Sequence, residues 1–207
     1  MPLEVETKLR VTDARAMERL RADPELVAAQ IDEPRAISME AFYYDTPKDT
    51  LNERKWTLRL RREDDVSIGV FKSMSSVEDA LFTRDEFSCP AATIEEAVPR
   101  LVGLGAPAEL ADMGAFVERC RIVFTRTAGS LRLEDDSICE LALDDGVIYA
   151  EEKSEPLLEL ELELLSGPPE EMIALAERLR ERYALQKEHY SKYGRALRLL
   201  RSRAVVV

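Results

Sequence analysis

Charged side chains recur in this sequence at every second position. Glu4, Glu6, Lys8 and Arg10 alternate with other residues between Leu3 and Val11, and Glu159, Glu161 and Glu163 do so between Leu158 and Leu164. Between these extremes, Arg59 and Arg61, then Lys72, then Arg84 with Glu86, Arg119 with Arg121, Arg132 with Glu134 and Glu140 with Asp144 repeat the pattern. The polar positions hold few neutral residues, and they sort by segment: the first and last carry mostly carboxylates, the middle ones mostly guanidinium and ammonium groups. Clustered carboxylates repel one another unless a hard cation sits among them, and oxygen-only ligands suit Mg²⁺ or Mn²⁺. Arginine forks match phosphate oxygens bidentately. Together the two banks point to a ligand that carries several phosphates and a bound metal.

Alternation of period two is the signature of β-strands. Strands are predicted over 3–11, 36–46, 56–62, 66–73, 81–88, 116–127, 130–134, 138–144 and 158–164. A hairpin is expected at Glu63-Asp64-Asp65, and turns at Asp45-Thr46-Pro47 and Asp144-Asp145-Gly146. Helices are predicted over 13–22 behind the Thr12-Asp13 cap, over a short stretch opened by the Thr93–Glu96 capping box, over 169–182 and over 188–202. Alternation by itself often means only one wet sheet face. A closed sheet with its charged faces turned inward explains why those faces are almost wholly ionic, because such charges need water and counter-ions in a shared lumen. The expected fold is therefore α+β and β-dominated: a closed antiparallel eight-stranded tunnel barrel with a charged lumen and helices packed outside. A single domain is expected across 1–207. Its lumen would hold the acids Glu4, Glu6, Glu140, Glu159, Glu161 and Glu163 and the cations Lys8, Arg59, Arg61, Lys72, Arg84, Arg119, Arg121 and Arg132.

Composition removes several function classes. Asp and Glu number 41 against 29 Lys and Arg, for a formal charge of −12, which disfavours a binder of nucleic-acid backbones. The three cysteines form no CxxC pair and fit reduced thiols better than a zinc site. Cys120 stands between two arginines and is expected to face away from them. No signal-peptide core or membrane-length apolar run is present, so no membrane partner is expected and the expected location is cytoplasmic. His189 reads as a surface helix residue and Trp56 as a packing anchor.

Six blocks in order resemble one known family. Glu4-Val5-Glu6-Thr7-Lys8 is an ExExK signature, followed by Tyr44-Asp45-Thr46-Pro47, Leu58-Arg59-Leu60-Arg61 with Phe71-Lys72, Leu143-Asp144-Asp145-Gly146, Glu159–Glu163 and Ser191-Lys192-Tyr193-Gly194-Arg195. The chain resembles the CYTH, or triphosphate tunnel metalloenzyme, superfamily over nearly its whole length. The resemblance implies a divalent-metal-dependent hydrolase of inorganic triphosphate or a small organic triphosphate, with adenylate cyclase as the alternative enzyme. A non-catalytic polyphosphate-binding module is the alternative outside enzymes. It implies Glu4, Glu6, Glu161 and Glu163 as metal ligands, with Glu159 and Glu140 nearby. It also implies Lys8, Arg59, Arg61, Lys72, Arg119, Arg121, Lys192 and Arg195 as phosphate-holding groups. Lys192 and Arg195, three apart, share one helix face. Lys8, beside Glu4 and Glu6, would orient the attacking water or assist its proton rather than act as the base.

Overall fold

The alternation does produce strands, and they assemble into one sheet. The computed structural model describes residues 4–78 and 81–202, with the backbone alone at 4, 74–78 and 81–84. In chain order the strands are β1 (Glu4–Arg10), β2 (Arg35–Asp45), β3 (Trp56–Glu63), β4 (Val66–Glu78), β5 (Leu81–Pro90), β6 (Val117–Arg132), β7 (Ile138–Ala150), β8 (Lys153–Ser166) and β9 (Gln186–Lys187). The helices are α1 (Ala14–Arg21), α2 (Pro24–Ala29), α3 (Thr50–Glu53), α4 (Ile94–Gly103), α5 (Glu109–Asp112), α6 (Glu170–Tyr183) and α7 (Lys192–Arg201).

All pairings are antiparallel, in the order β5-β4-β3-β2-β6-β7-β8-β1-β9. Among the described residues the sheet thus has nine strands rather than the expected eight, the ninth being the two-residue β9 laid against Leu9 and Arg10. β1 pairs with β8 over Glu6–Arg10 and with β5 over Glu4–Thr7.

Two expected breaks are absent. The segments expected at 116–127 and 130–134 form the single strand β6, and β7 runs straight through Asp144-Asp145-Gly146. The reversal after β7 falls at Glu151-Glu152, where Glu151 takes a left-handed φ of 54°. Gly146 serves close approach instead of a turn: a Cβ there would lie 2.1 Å from the Val123 carbonyl oxygen across the β6–β7 ladder. The hairpin at 63–65 and the end of β2 at Asp45 fall where expected.

Period-two burial then sets the layers. Leu160 and Leu162 of β8, Leu141 and Leu143 of β7 and Leu9 of β1 pack under Met17 and Leu20 of α1 and Met172, Leu175 and Leu179 of α6. Leu58, Leu60 and Phe71 pack under Ile94, Ala97 and Leu101 of α4. Caps fix these helices: Asp13 Oδ1 accepts from the Ala16 amide at 2.8 Å, and the Thr93 hydroxyl accepts from the Glu96 amide at 3.3 Å. α7 departs from the expectation of helices outside only. Its Tyr193 and Ala196 pack against Met39, Ala41, Tyr43, Cys120 and Ile122, on the sheet face that also carries the charges.

Gly146→Ala should destabilise the protein by about 1–3 kcal/mol, since the added methyl group meets backbone that cannot move aside. Urea unfolding measures this. An unchanged midpoint would mean that the β6–β7 approach is looser than the structure has it.

Candidate functional site

All eight long strands, together with α7, contribute side chains to one cavity of about 610 Å³. The alternation places them. Glu6 and Lys8 of β1, Tyr43 of β2, Arg59, Arg61 and Glu63 of β3, Lys72 of β4, Glu86 of β5, Arg126 of β6, Glu140 of β7, Glu161 and Glu163 of β8 and Lys192 of α7 all face it. Their neighbours at odd spacing are the leucines of the outer layers.

One wall is a buried chain of ion pairs. Lys8 Nζ donates to Glu6 Oε2 at 2.8 Å and to Glu161. Arg126 grips Asp144 with both Nε and Nη2, each at 2.8 Å, and also reaches Glu161. Lys192 Nζ sits among three carboxylates: Asp144 Oδ2 at 2.8 Å, Glu161 Oε1 at 2.7 Å and Glu159. Asp144 and Glu159 are fully buried, and Glu6, Lys8, Glu161 and Lys192 nearly so.

The second wall is basic. Arg59 Nη1 donates to the Tyr43 hydroxyl at 3.2 Å, Lys72 pairs with Glu86, and Arg61 pairs with Glu63. Tyr43 in turn stacks on Tyr193 of α7, with ring centroids 5.1 Å apart.

The charge states follow from burial and neighbours. Burial opposes the Lys8 ammonium, but Glu161 and Glu6 outweigh it and hold its pKa above the ordinary value. Burial likewise opposes Lys192, and Asp144, Glu159 and Glu161 raise it well above normal. Burial works to raise Glu161, yet Lys192, Lys8 and Arg126 keep it well below the usual carboxylate range. Burial pushes Glu159 up to about 7, more than Lys192 offsets. Glu140 is raised, chiefly by burial. On the other wall Arg61 is lowered by burial and by Arg59 beside it. That wall is a site of like-charge crowding which a docked anion would relieve.

The structure brings together Glu6, Lys8, Arg59, Arg61, Lys72, Glu140, Glu161, Glu163 and Lys192 at the cavity and sets Glu159 directly behind them. The side chains of Glu4 and Arg84 lie outside the described residues. Arg119, the extra residue at the β2–β6 register shift, binds the Thr46 carbonyl oxygen at 2.9 Å and Asp49 at 2.7 Å and does not line the cavity. Arg121 is half-exposed, pairs with Glu40 and covers the Phe42 ring. Arg132 pairs with exposed Asp136. Arg195 lies behind α7, with Nε 2.8 Å from Glu155 Oε1.

The parity of β6 is thus the reverse of the one expected. Cys120, Ile122, Phe124 and Arg126 share the inner face, so Cys120 faces away from Arg121 by packing inward against α7. The physical reason is that α7 inserts Tyr193 and Ala196 here, so this end of the inner face must be apolar. Arg126 and Asp144 were missed as site residues. The even spacing of Asp144 from Glu140 was the available signal. For Arg126 none existed without knowing where α7 packs.

The donors at the acidic wall are all oxygen. One oxygen each from Asp144, Glu159 and Glu161 lies within 4.8 Å of the others, and Glu6, Glu140 and Glu163 face the cavity beside them. That chemistry fits a hard divalent cation. Lys192 already stands among the buried three, so room for an ion lies on their cavity side.

A CYTH domain matches residues 2–197. An inorganic triphosphatase from Haemophilus influenzae is 32% identical over 140 residues, which is 66% of this chain and 39% of the relative. The chain therefore spans about two fifths of that relative's length. Among solved structures, a Hippeastrum protein described as an adenylyl cyclase with a dominant triphosphatase activity superposes with a TM-score of 0.65 at 18% identity, covering 94% of this chain and 95% of its own. A Pyrococcus horikoshii protein gives a TM-score of 0.56 at 20% identity, covering 93% of this chain and 98% of its own. Identities this low speak for the shared fold alone.

Lys192→Met should cost about 3–5 kcal/mol in urea unfolding, because it strands buried carboxylates. A loss below that range would mean that water reaches the cluster. Glu159 adds a pH effect. Folded Glu159 keeps, between its ordinary 4.5 and about 7, a proton that the unfolded chain has released, so its ionisation removes stability as pH rises through that window. In metal-free protein, Glu159→Gln should gain on the wild type across those pH values. A pH-independent difference would contradict the raised carboxyl.

Proposed function

The chain belongs to the CYTH domain family, and on that premise we propose that it is a divalent-metal-dependent triphosphatase. It would cleave the terminal phosphoanhydride bond of inorganic triphosphate or a small organic triphosphate. The observation that carries the reading is the pair of opposed walls in one cavity: carboxylates on β1, β7 and β8, and Arg59, Arg61 and Lys72 on β3 and β4. In support, the Haemophilus influenzae relative is an inorganic triphosphatase. We further propose that the sheet closes as an eight-stranded tunnel within one domain across 1–207. The two pairings of β1, to β8 and to β5, support this closure.

In this reading Glu4, Glu6, Glu140, Glu161 and Glu163 hold the cation, Mg²⁺ or Mn²⁺, with Glu159 and Asp144 backing them. When bound, the cation would neutralise phosphate charge and polarise the reacting phosphoryl group. The remaining steps belong to the chain's own side chains. Arg59, Arg61 and Lys72 draw in the triphosphate oxygens and stabilise charge that builds on the leaving pyrophosphate. Lys8 and Lys192, held charged by their carboxylates, donate from Nζ to phosphate or to the incoming water. Lys8 keeps its proton and so orders the nucleophile instead of deprotonating it. Arg119, Arg121 and Arg195 do not line the cavity, and Arg195 instead backs Glu159, with Nη1 3.5 Å from its Oε2. A specific observation favours the organic substrate: Ile37, Met39 and Phe124 also line the cavity, and a bare triphosphate has no use for an apolar wall.

Purified protein with Mg²⁺ or Mn²⁺ should release phosphate from tripolyphosphate, thiamine triphosphate or ATP, and a chelator should abolish release. Glu161→Gln should lower kcat about a hundredfold or more, and Arg61→Ala should raise KM. Tight polyphosphate binding without turnover of any of these would overturn the hydrolase in favour of a binding module. Cyclic AMP formed from ATP would overturn it in favour of a cyclase.

A further inference from the structure

A second cavity, of about 390 Å³, opens on the far side of α7. It is built from the end of β1, the start of β8, β9, the loop to α7 and the outer face of α7, and the function proposed above makes no use of it. We propose that this cavity is a second, separate binding site for a small phosphate-type oxyanion.

Arg10, Arg195 and Arg198 line it; Arg195 is nearly buried and already committed to Glu155, the Pro156 carbonyl oxygen and Glu159, which leaves Arg10 and Arg198 as the groups that face a ligand. The facing carboxylates are Glu155 and Glu188, and both are already engaged. Glu155 Oε1 accepts from Arg195 Nε at 2.8 Å, and Glu188 Oε1 accepts from the Tyr190 amide at 2.9 Å. Lys187 also lines the cavity and directs its ammonium to Glu177 at 2.9 Å.

Arg10 is the group that asks for a ligand. Its approaches to Glu188 and Glu155, at 3.4 and 3.8 Å, are ion pairs too long to be good hydrogen bonds. Its Nε is buried without a hydrogen-bond acceptor, while the side chain, 42% exposed, lines the cavity. A guanidinium held this loosely, and this exposed, gains charge-assisted hydrogen bonds from an oxyanion that its own carboxylates do not supply. Arg198 is exposed and held over the Tyr190 ring, 4.3 Å from its centroid, which fixes its fork at the rim.

The opposing influence here is the carbonyl end of α7, whose dipole repels anions. It is already satisfied: Lys153 Nζ donates to the Leu199 and Leu200 carbonyl oxygens at 3.2 and 2.9 Å. Arg10 and Arg198 are therefore left for a ligand. Tetrahedral oxyanions such as inorganic phosphate fit, having several acceptors for forks that converge from two elements.

The experiment is titration of ¹⁵N-labelled protein with inorganic phosphate, followed by amide shifts. In the wild type, signals from 186–190 and 195–202 should move on a binding curve of their own. Arg198→Gln alone, at an exposed position, and Arg10→Gln with Arg198→Gln should each weaken that curve at least tenfold. Shifts around Arg59, Arg61 and Lys72 and the rate of tripolyphosphate hydrolysis should remain within twofold. Conversely, Arg59→Gln with Lys72→Gln should leave the 186–202 curve in place. Phosphate shifts confined to the main cavity, or a 186–202 curve that Arg198→Gln does not weaken, would overturn the second site whatever the fate of the triphosphatase reading.

Discussion

The ammonium of Lys192 among Asp144, Glu159 and Glu161 is the contact on which the rest of the structure depends. Three carboxylates this close in a buried setting cannot all stay ionised without compensation. Lys192 supplies it from α7, Lys8 from β1 and Arg126 from β6. Each cation is thereby tied to an element distant in sequence, and the ionic cluster fixes where α7 must lie. With α7 in place, Tyr193 stacks on Tyr43 and Tyr43 orients Arg59, so the position of the basic wall is traceable to the acidic one.

Apolar and ionic order divide the labour here. The leucines opposite the charged positions bury against α1, α4 and α6, and this burial supplies the driving force. The inner face is left to satisfy charge by pairing. Buried ion pairs are poor sources of stability but strict about geometry, since a misplaced partner leaves a bare charge in low dielectric. Strand register makes that pairing: Glu161 is fixed opposite Lys8 in the β1–β8 ladder, and Lys72 opposite Glu86 in the β4–β5 ladder.

Much of this was legible in the sequence because period-two patterning reports which face is which wherever leucine marks the other side. Glu6, Lys8, Arg59, Arg61, Lys72, Glu161 and Glu163 all obey it, as does the hairpin at 63–65. It failed where the inner face is not ionic. In β6, α7 makes the inner positions Cys120, Ile122 and Phe124, so Arg121, expected inward, faces out, while Arg119 falls at a bulge that alternation does not foresee. It failed again at Asp144-Asp145-Gly146, where turn-forming residue types serve a close backbone approach inside a long strand. Arg195 belongs to a helix whose two faces look into different cavities, which spacing by three alone does not distinguish.

The pairing of β1 with strands that begin about eighty and about a hundred and fifty residues later bears on how the chain acquires its shape. Contacts of such long sequence separation make for slow folding. During synthesis the N-terminal ladder must wait for β8, and the acids of β7 and β8 must wait for Lys192. A ribosome-bound nascent chain that has not yet released α7 therefore carries a half-made, self-repelling cluster, its carboxylates lacking the Lys192 ammonium that compensates them.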